Sequence, residues 1–70
     1  MKKNLLRGKI TEHGMTIGEF CEKAEFIRST FDRKMSGKSS FNVDEIRRIK
    51  DELSLTAEET CNIFFADKVS

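Results

Sequence analysis

The sequence predicts an all-α protein made of one small domain. Its 70 residues, 37% of them hydrophobic, are enough for one modest core. Apolar residues recur at helical spacing along the chain, and proline, tryptophan and tyrosine are absent. This composition favours helices over a β fold or a disordered chain. A capping-box pattern, Thr or Asn three positions before Glu, precedes three of the apolar patterns. We therefore expect a compact domain of five helices.

The first helix is expected over about residues 3–13. Leu6 and Ile10 share one face of this segment, and Leu5 lies beside them. Gly14 is suited to end the helix because glycine readily adopts the left-handed conformation that follows many helices. His13, just before it, is placed where a cation near the last carbonyl groups is mildly favourable.

The second helix is expected to begin at Thr16. The Thr16 hydroxyl can accept the backbone N–H of Glu19, and the Glu19 side chain can reach back to the Thr16 N–H. One apolar stripe follows at helical spacing, formed by Ile17, Phe20, Cys21 and Ala24. The pattern predicts a helix of about two turns that packs against a core on this stripe.

The third helix follows after a short joint. Ile27, Phe31 and Met35 are spaced four apart, and a helix places them on one side. The polar residues Arg28, Ser29, Asp32 and Arg33 spread over the opposite side. Gly37 is suited to the position after the helix end, within a polar loop of residues 36–40. We expect the apolar side to pack and the polar side to face outward.

Two further helices complete the predicted core. Asn42 with Glu45 begins the fourth, and Thr56 with Glu59 begins the fifth. The expected buried positions are Val43, Ile46, Ile49 and Leu53 in the fourth helix and Ala57, Thr60, Cys61 and Phe64 in the fifth.

The C-terminal run over residues 63–69 holds more large apolar side chains than one helix face can hide. In one interpretation Phe65 or Val69 is a surface residue that meets a partner. In the other, Phe64 and Phe65 pack under the first helix and close the core, which so short a chain needs.

No catalytic or metal site is predicted. The chain has one histidine and two cysteines, without the C-x-x-C or H-x-x-H spacing of a structural zinc site. Cys21 and Cys61 are expected to be free, compact apolar residues rather than a disulfide. No nucleophile, base and orienting group can be placed together, so we expect neither an enzyme nor a cofactor.

The N-terminus carries neither a signal-peptide pattern nor a membrane span. Lys2 and Lys3 are followed only by Leu5 and Leu6 before the next basic residue. We expect a cytoplasmic protein with no membrane partner and no small-molecule ligand.

The charge of the chain is unevenly distributed. The net charge is only +1, yet residues 1–50 hold twelve Lys and Arg against seven acids, whereas residues 51–70 hold one lysine against five acids. Between residues 26 and 40 there are four basic residues and one acidic residue. This stretch predicts a local positive surface able to meet phosphates.

Residues 16–37 have the layout of a DNA-reading helix-turn-helix. The run T-I-G-E-F-C-E-K-A-E-F-I-R-S-T-F-D-R-K-M-S-G contains a Thr-x-x-Glu start, a small residue in the helix, a tight turn and a polar helix ending in a Gly-Lys loop. It resembles the Cro and phage-repressor family of helix-turn-helix proteins. The resemblance implies a compact five-helix lambda-repressor-like domain with the motif at helices 2 and 3. It also implies a phage or prophage regulator of transcription that binds double-stranded DNA.

The resemblance also implies residue roles. The positions that match those entering the major groove are Arg28, Ser29, Asp32 and Arg33. Arg33 is the best candidate for bidentate recognition of guanine. Asp32 either accepts from a cytosine amine or orients Arg28 through an i, i+4 ion pair. The expected phosphate contacts are Thr16, Lys34 and Lys38.

Two departures from the family leave alternatives open. Glu25 stands where glycine is usual, so it either adopts a left-handed conformation or the turn is built differently. Ile27 stands where a capping hydroxyl is usual. The third helix either starts there or starts later, with Ser29 as cap, Asp32 as its box partner and Arg28 as a phosphate contact.

A single module of this size makes few base contacts, so we expect a homodimer on two half-sites. The alternative function is a protein-binding module, such as an anti-repressor or adaptor, that uses the helix-turn-helix as a scaffold. Near-neutral net charge and Asp32 on the reading face favour it, whereas Arg28 and Arg33 argue against it.

Overall fold

The computed structural model of the protein describes residues 1–65, and within them the chain forms five α-helices and no β-strand. The helices are α1 (Lys3–Glu12), α2 (Ile17–Lys23), α3 (Arg28–Met35), α4 (Val43–Glu52) and α5 (Ala57–Thr60). The chain continues from α5 into a π-helical turn, Cys61–Phe65. The predicted all-α class is confirmed. None of the helices in this part of the chain has the length and apolar character needed to cross a membrane.

The three predicted capping boxes are all present. Thr16, Asn42 and Thr56 each accept the backbone N–H of the glutamate three residues on, and each glutamate accepts the N–H of the capping residue. Each box satisfies two backbone N–H groups that have no partner inside the helix. These local bonds explain why the starts of α2, α4 and α5 could be read from the sequence.

Four helices end in the same way, on a residue with positive φ. These residues are Gly14 after α1, Glu25 after α2, Gly37 after α3 and Ser54 after α4, with φ of 73°, 62°, 89° and 50°. In each case the next N–H donates to the carbonyl of the third-last helical residue, which is the Schellman arrangement. The predicted roles of Gly14 and Gly37 are confirmed.

The core lies between all the helices and is rich in phenylalanine. Its fully buried large side chains are Leu6, Ile10, Phe20, Phe31, Ile49, Leu53 and Ile63. Phe26 and Phe41 are half-buried and lie beside Phe31, with ring centroids 5.4 and 5.6 Å from it. Phe31 therefore anchors α3 within an aromatic cluster.

Four apolar positions in α1, α4, α5 and the π-helical turn differ from the sequence prediction. Val43 is 70% exposed, because it is the first residue of α4 and the buried stripe begins one turn later. Leu5 is 47% exposed, so α1 packs against the core through its two buried residues, Leu6 and Ile10. Cys61 is an exposed free thiol, because the backbone widens at the π-helical turn and Ile63 takes the inward position. Ala57 is exposed as well.

The end of the described chain closes the core against α1. Phe64 is buried, and Phe65 is half-buried and packs against the core. The backbone N–H of Lys2 donates to the Ile63 carbonyl at 2.8 Å, which joins the start of α1 to the π-helical turn. Of the two interpretations of this run, packing of both phenylalanines fits residues 1–65. Val69 lies outside the described residues.

Candidate nucleic-acid interface

The start of α2 is fixed by Thr16. Its hydroxyl accepts the Glu19 N–H at 3.1 Å, and its own N–H donates to the Glu19 carboxylate at 2.8 Å. The hydrogen bonds from Thr16 lower the pKa of Glu19 below its ordinary value. Because the Thr16 N–H is engaged in the box, only its hydroxyl hydrogen remains available to a phosphate.

The turn between α2 and α3 is built on Glu25 in the left-handed conformation. Its φ is 62°, and the following N–H, of Phe26, donates to the Cys21 carbonyl at 2.8 Å. Of the two alternatives left open by the sequence, the first is therefore correct: Glu25 adopts the left-handed conformation. A residue other than glycine is strained in this conformation, because its Cβ approaches the following carbonyl.

Arg48 of α4 holds this turn in place, a role that the sequence did not reveal. Its Nη1 donates to the carbonyl oxygens of Ala24 at 3.2 Å and Glu25 at 2.8 Å. The guanidinium also lies 4.4 Å from the centre of the Phe26 ring, within cation–π distance. These contacts join residues more than twenty positions apart, and no local pattern announces them. Arg48 thus supports the turn rather than facing solvent.

The third helix begins at Arg28, with Ile27 as its N-cap residue. Ile27 has an extended backbone, and no side chain caps the helix, so Ser29 is not the cap. Ile27 is 71% exposed, which overturns the prediction that it packs together with Phe31 and Met35. The helical period does not apply to Ile27 because this residue lies outside the helix. Phe31 and Met35, which are 0% and 6% exposed, pack α3 against the core.

Arg28 is oriented by Asp32. Its Nε donates to the two carboxylate oxygens of Asp32 at 3.1 and 3.2 Å. Of the two roles that the sequence analysis gives Asp32, the i, i+4 ion pair with Arg28 is therefore present. A Cβ built on Gly18 would lie 3.5 Å from Nη1 of Arg28 and 3.9 Å from the Thr16 hydroxyl oxygen. Arg28 therefore lies across the first turn of α2, within van der Waals distance of the place where a side chain at Gly18 would begin. Both of its terminal nitrogens have no hydrogen-bond partner within residues 1–65.

Ser29 and Arg33 are exposed on α3, and neither side chain has a hydrogen-bond or ion-pair partner in the part of the chain that the structure describes. Lys38 is also exposed, just beyond the end of α3, where its backbone N–H donates to the Arg33 carbonyl at 3.1 Å. The structure thus presents these three polar side chains to solvent near one helix.

Lys34 is placed differently from its predicted role as a phosphate contact. Its ammonium group binds both carboxylate oxygens of Glu45, and the two side chains are only 14% and 11% exposed. Burial alone would raise the pKa of Glu45. The hydrogen bonds from Lys34 and the Asn42 N–H, with the nearby positive charges, instead lower that pKa. Lys34 therefore ties α3 to α4 through this ion pair and is not part of the candidate interface.

The candidate interface consists of one uncapped helix start, one oriented arginine and further polar side chains around α3. Its members are Thr16, Ile27, Arg28, Ser29, Asp32, Arg33 and Lys38. Comparisons with protein-family models, with curated proteins and with solved structures returned no match to this chain, so no relative's activity can be carried over to these residues.

Proposed function

We propose that the protein is a sequence-specific regulator of transcription that binds double-stranded DNA. In this proposal α2 and α3 form a helix-turn-helix of the kind found in Cro and phage repressors, and α3 enters the major groove. The observation that carries the proposal is the division of α3 into two sides. Phe31 and Met35 are buried, whereas Arg28, Ser29 and Arg33 are exposed.

The free arginine groups suit the reading of guanine. Asp32 holds Nε of Arg28, which leaves the two terminal nitrogens as a fork for the O6 and N7 acceptors of guanine. Arg33 has no partner within residues 1–65 and keeps its whole guanidinium available. Ser29 can satisfy several bases and specifies little.

The phosphate contacts of the proposal lie at the edges of the motif. The Lys38 ammonium is exposed in the loop after α3, and the Thr16 hydroxyl stands at the start of α2. Such contacts fix the position of the protein on the duplex and add little sequence preference. A single domain of this size makes few contacts, so we propose that two copies bind neighbouring half-sites.

The test begins with the full chain and a random double-stranded DNA library. We expect repeated selection to enrich one site, which then binds more tightly than a scrambled duplex over a salt series. Arg33→Ala should weaken the selected site by roughly five- to 150-fold and relax the preference at one base pair. Lys38→Ala should weaken both duplexes alike and reduce the salt slope by about one.

Arg7→Ala is the matched control, because Arg7 is an exposed arginine on α1, outside the motif. It should leave the selected site preferred and unchanged. If Arg33→Ala and Lys38→Ala both bind DNA like the parent protein, the assignment of the interface is wrong. If the protein does not bind DNA even at low salt, the alternative of a protein-binding module replaces the proposal.

A further inference from the structure

Ile27 is an exposed apolar side chain at the front of α3. It is 71% exposed, although isoleucine is among the residues most often buried. Serine, threonine, aspartate and asparagine are preferred at the N-cap because their side chains accept a helix N–H, which isoleucine cannot do. The chain therefore carries at this position a residue that neither packs nor caps. Nothing within the described residues accounts for this choice.

The neighbours of Ile27 indicate what it meets. Arg28 and Ser29 follow it directly and are exposed, and Arg33 lies further along the same helix. Arg28 is paired with Asp32 through Nε only, and Arg33 has no partner within residues 1–65. An apolar group beside these two arginines fits a partner that is anionic overall but offers an isolated apolar group. The major groove of DNA has this character, since the C5-methyl group of thymine stands there between the phosphate backbones. The N-terminal residues of a recognition helix are the ones that reach base edges.

We propose that Ile27 contacts the C5-methyl group of a thymine and makes the protein prefer A·T over other pairs at one position of its site. This inference rests on the proposed function and adds to it a specificity residue and its ligand. The contact needs no hydrogen bond, so it explains why a residue without polar atoms occupies this position.

The experiment replaces each thymine of the selected duplex in turn by deoxyuridine, which removes only the C5-methyl group. With the parent protein, one replacement should weaken binding about fourfold, as expected for one methyl group that loses its burial. Ile27→Ser should bind the thymine duplex more weakly and show no sensitivity to that replacement. Ile27→Val, which keeps an apolar branched side chain, should retain part of it.

Val43→Ser is the matched control because Val43 is equally exposed, at 70%, but begins α4 rather than α3. It should keep the full sensitivity of the parent protein. Far-UV circular dichroism of each variant establishes that it is folded, which we expect for Ile27→Ser because serine is a preferred N-cap residue.

The outcomes separate the two proposals. If selection enriches no site, the proposed function fails. If a site is enriched but no deoxyuridine replacement weakens binding, the function stands and the role of Ile27 is refuted. The role is also refuted if Ile27→Ser keeps the sensitivity of the parent protein, or if Val43→Ser loses it.

Discussion

Replacing Glu25 by glycine should stabilise the protein. Glu25 has φ of 62°, and the left-handed conformation costs an ordinary residue about 1–2 kcal/mol. Glycine avoids this cost but loses about 0.5–1 kcal/mol more conformational entropy on folding. The Glu25 side chain has no partner within residues 1–65, and the carbonyl that Arg48 binds is kept in the variant. The net expectation for Glu25→Gly is a gain of roughly 0.5–1 kcal/mol.

Thermal unfolding followed by circular dichroism measures this gain. For a domain of this size it corresponds to a rise in Tm of about 2–8 °C. Gly14→Ala is the control of opposite sign. Gly14 has φ of 73°, and a Cβ there would meet nothing within 4 Å, so its cost is purely conformational. A Tm for Glu25→Gly at or below that of the parent protein would refute the reasoning that the turn is strained.

Two further predictions concern contacts between helices and the acid limit of stability. Arg48→Met should destabilise the fold by about 1–2 kcal/mol in urea unfolding, because the carbonyls of the turn lose a charged donor. Arg47 is an exposed neighbour without a partner in residues 1–65, so Arg47→Met should change the stability little. Equal effects of the two variants would contradict the role of Arg48 in holding the turn. Glu19 and Glu45 both have a pKa below their ordinary value of 4.5. Their stabilising contribution is full above that pH and is lost as the pH falls through the lower pKa of the folded state. Urea unfolding between about pH 6 and pH 3 should show this loss, with a shallower slope for Glu45→Gln, whereas a flat profile would count against it.

Most helix boundaries could be predicted because they depend on neighbours in sequence, whereas the start of α3 was left open between Ile27 and Ser29. Thr16 meets Glu19 within one turn, and Gly37 ends α3 through bonds to that helix alone. The outward position of Arg33 also followed, since it depends only on the helical period and on burial of Phe31. These features need no knowledge of the rest of the fold.

Contacts between distant segments could not be predicted in the same way. The pair of Lys34 with Glu45 and the contact of Arg48 with the turn both join different helices. The sequence pattern of a helix does not distinguish an arginine or lysine that faces solvent from one that contacts a different helix or the end of one. The prediction that Ile27 is buried was wrong for a different reason. The helical period was applied to Ile27, but this residue lies just before α3 and has an extended backbone conformation.

Two residues that break local rules, Glu25 and Ile27, lie close together at the turn and at the start of α3, and they differ in kind. Glu25 is strained, but the fold offsets the strain, since Arg48 binds its carbonyl and the Schellman bonds are complete. Ile27 gives up a cap worth about 1 kcal/mol and exposes apolar surface, and no contact within residues 1–65 offsets either cost. A cost that the fold offsets is structural, whereas one that it does not offset indicates selection for something outside the fold. Ile27→Ser should therefore raise Tm while weakening the binding that we propose, and Glu25→Gly should raise Tm and leave that binding intact.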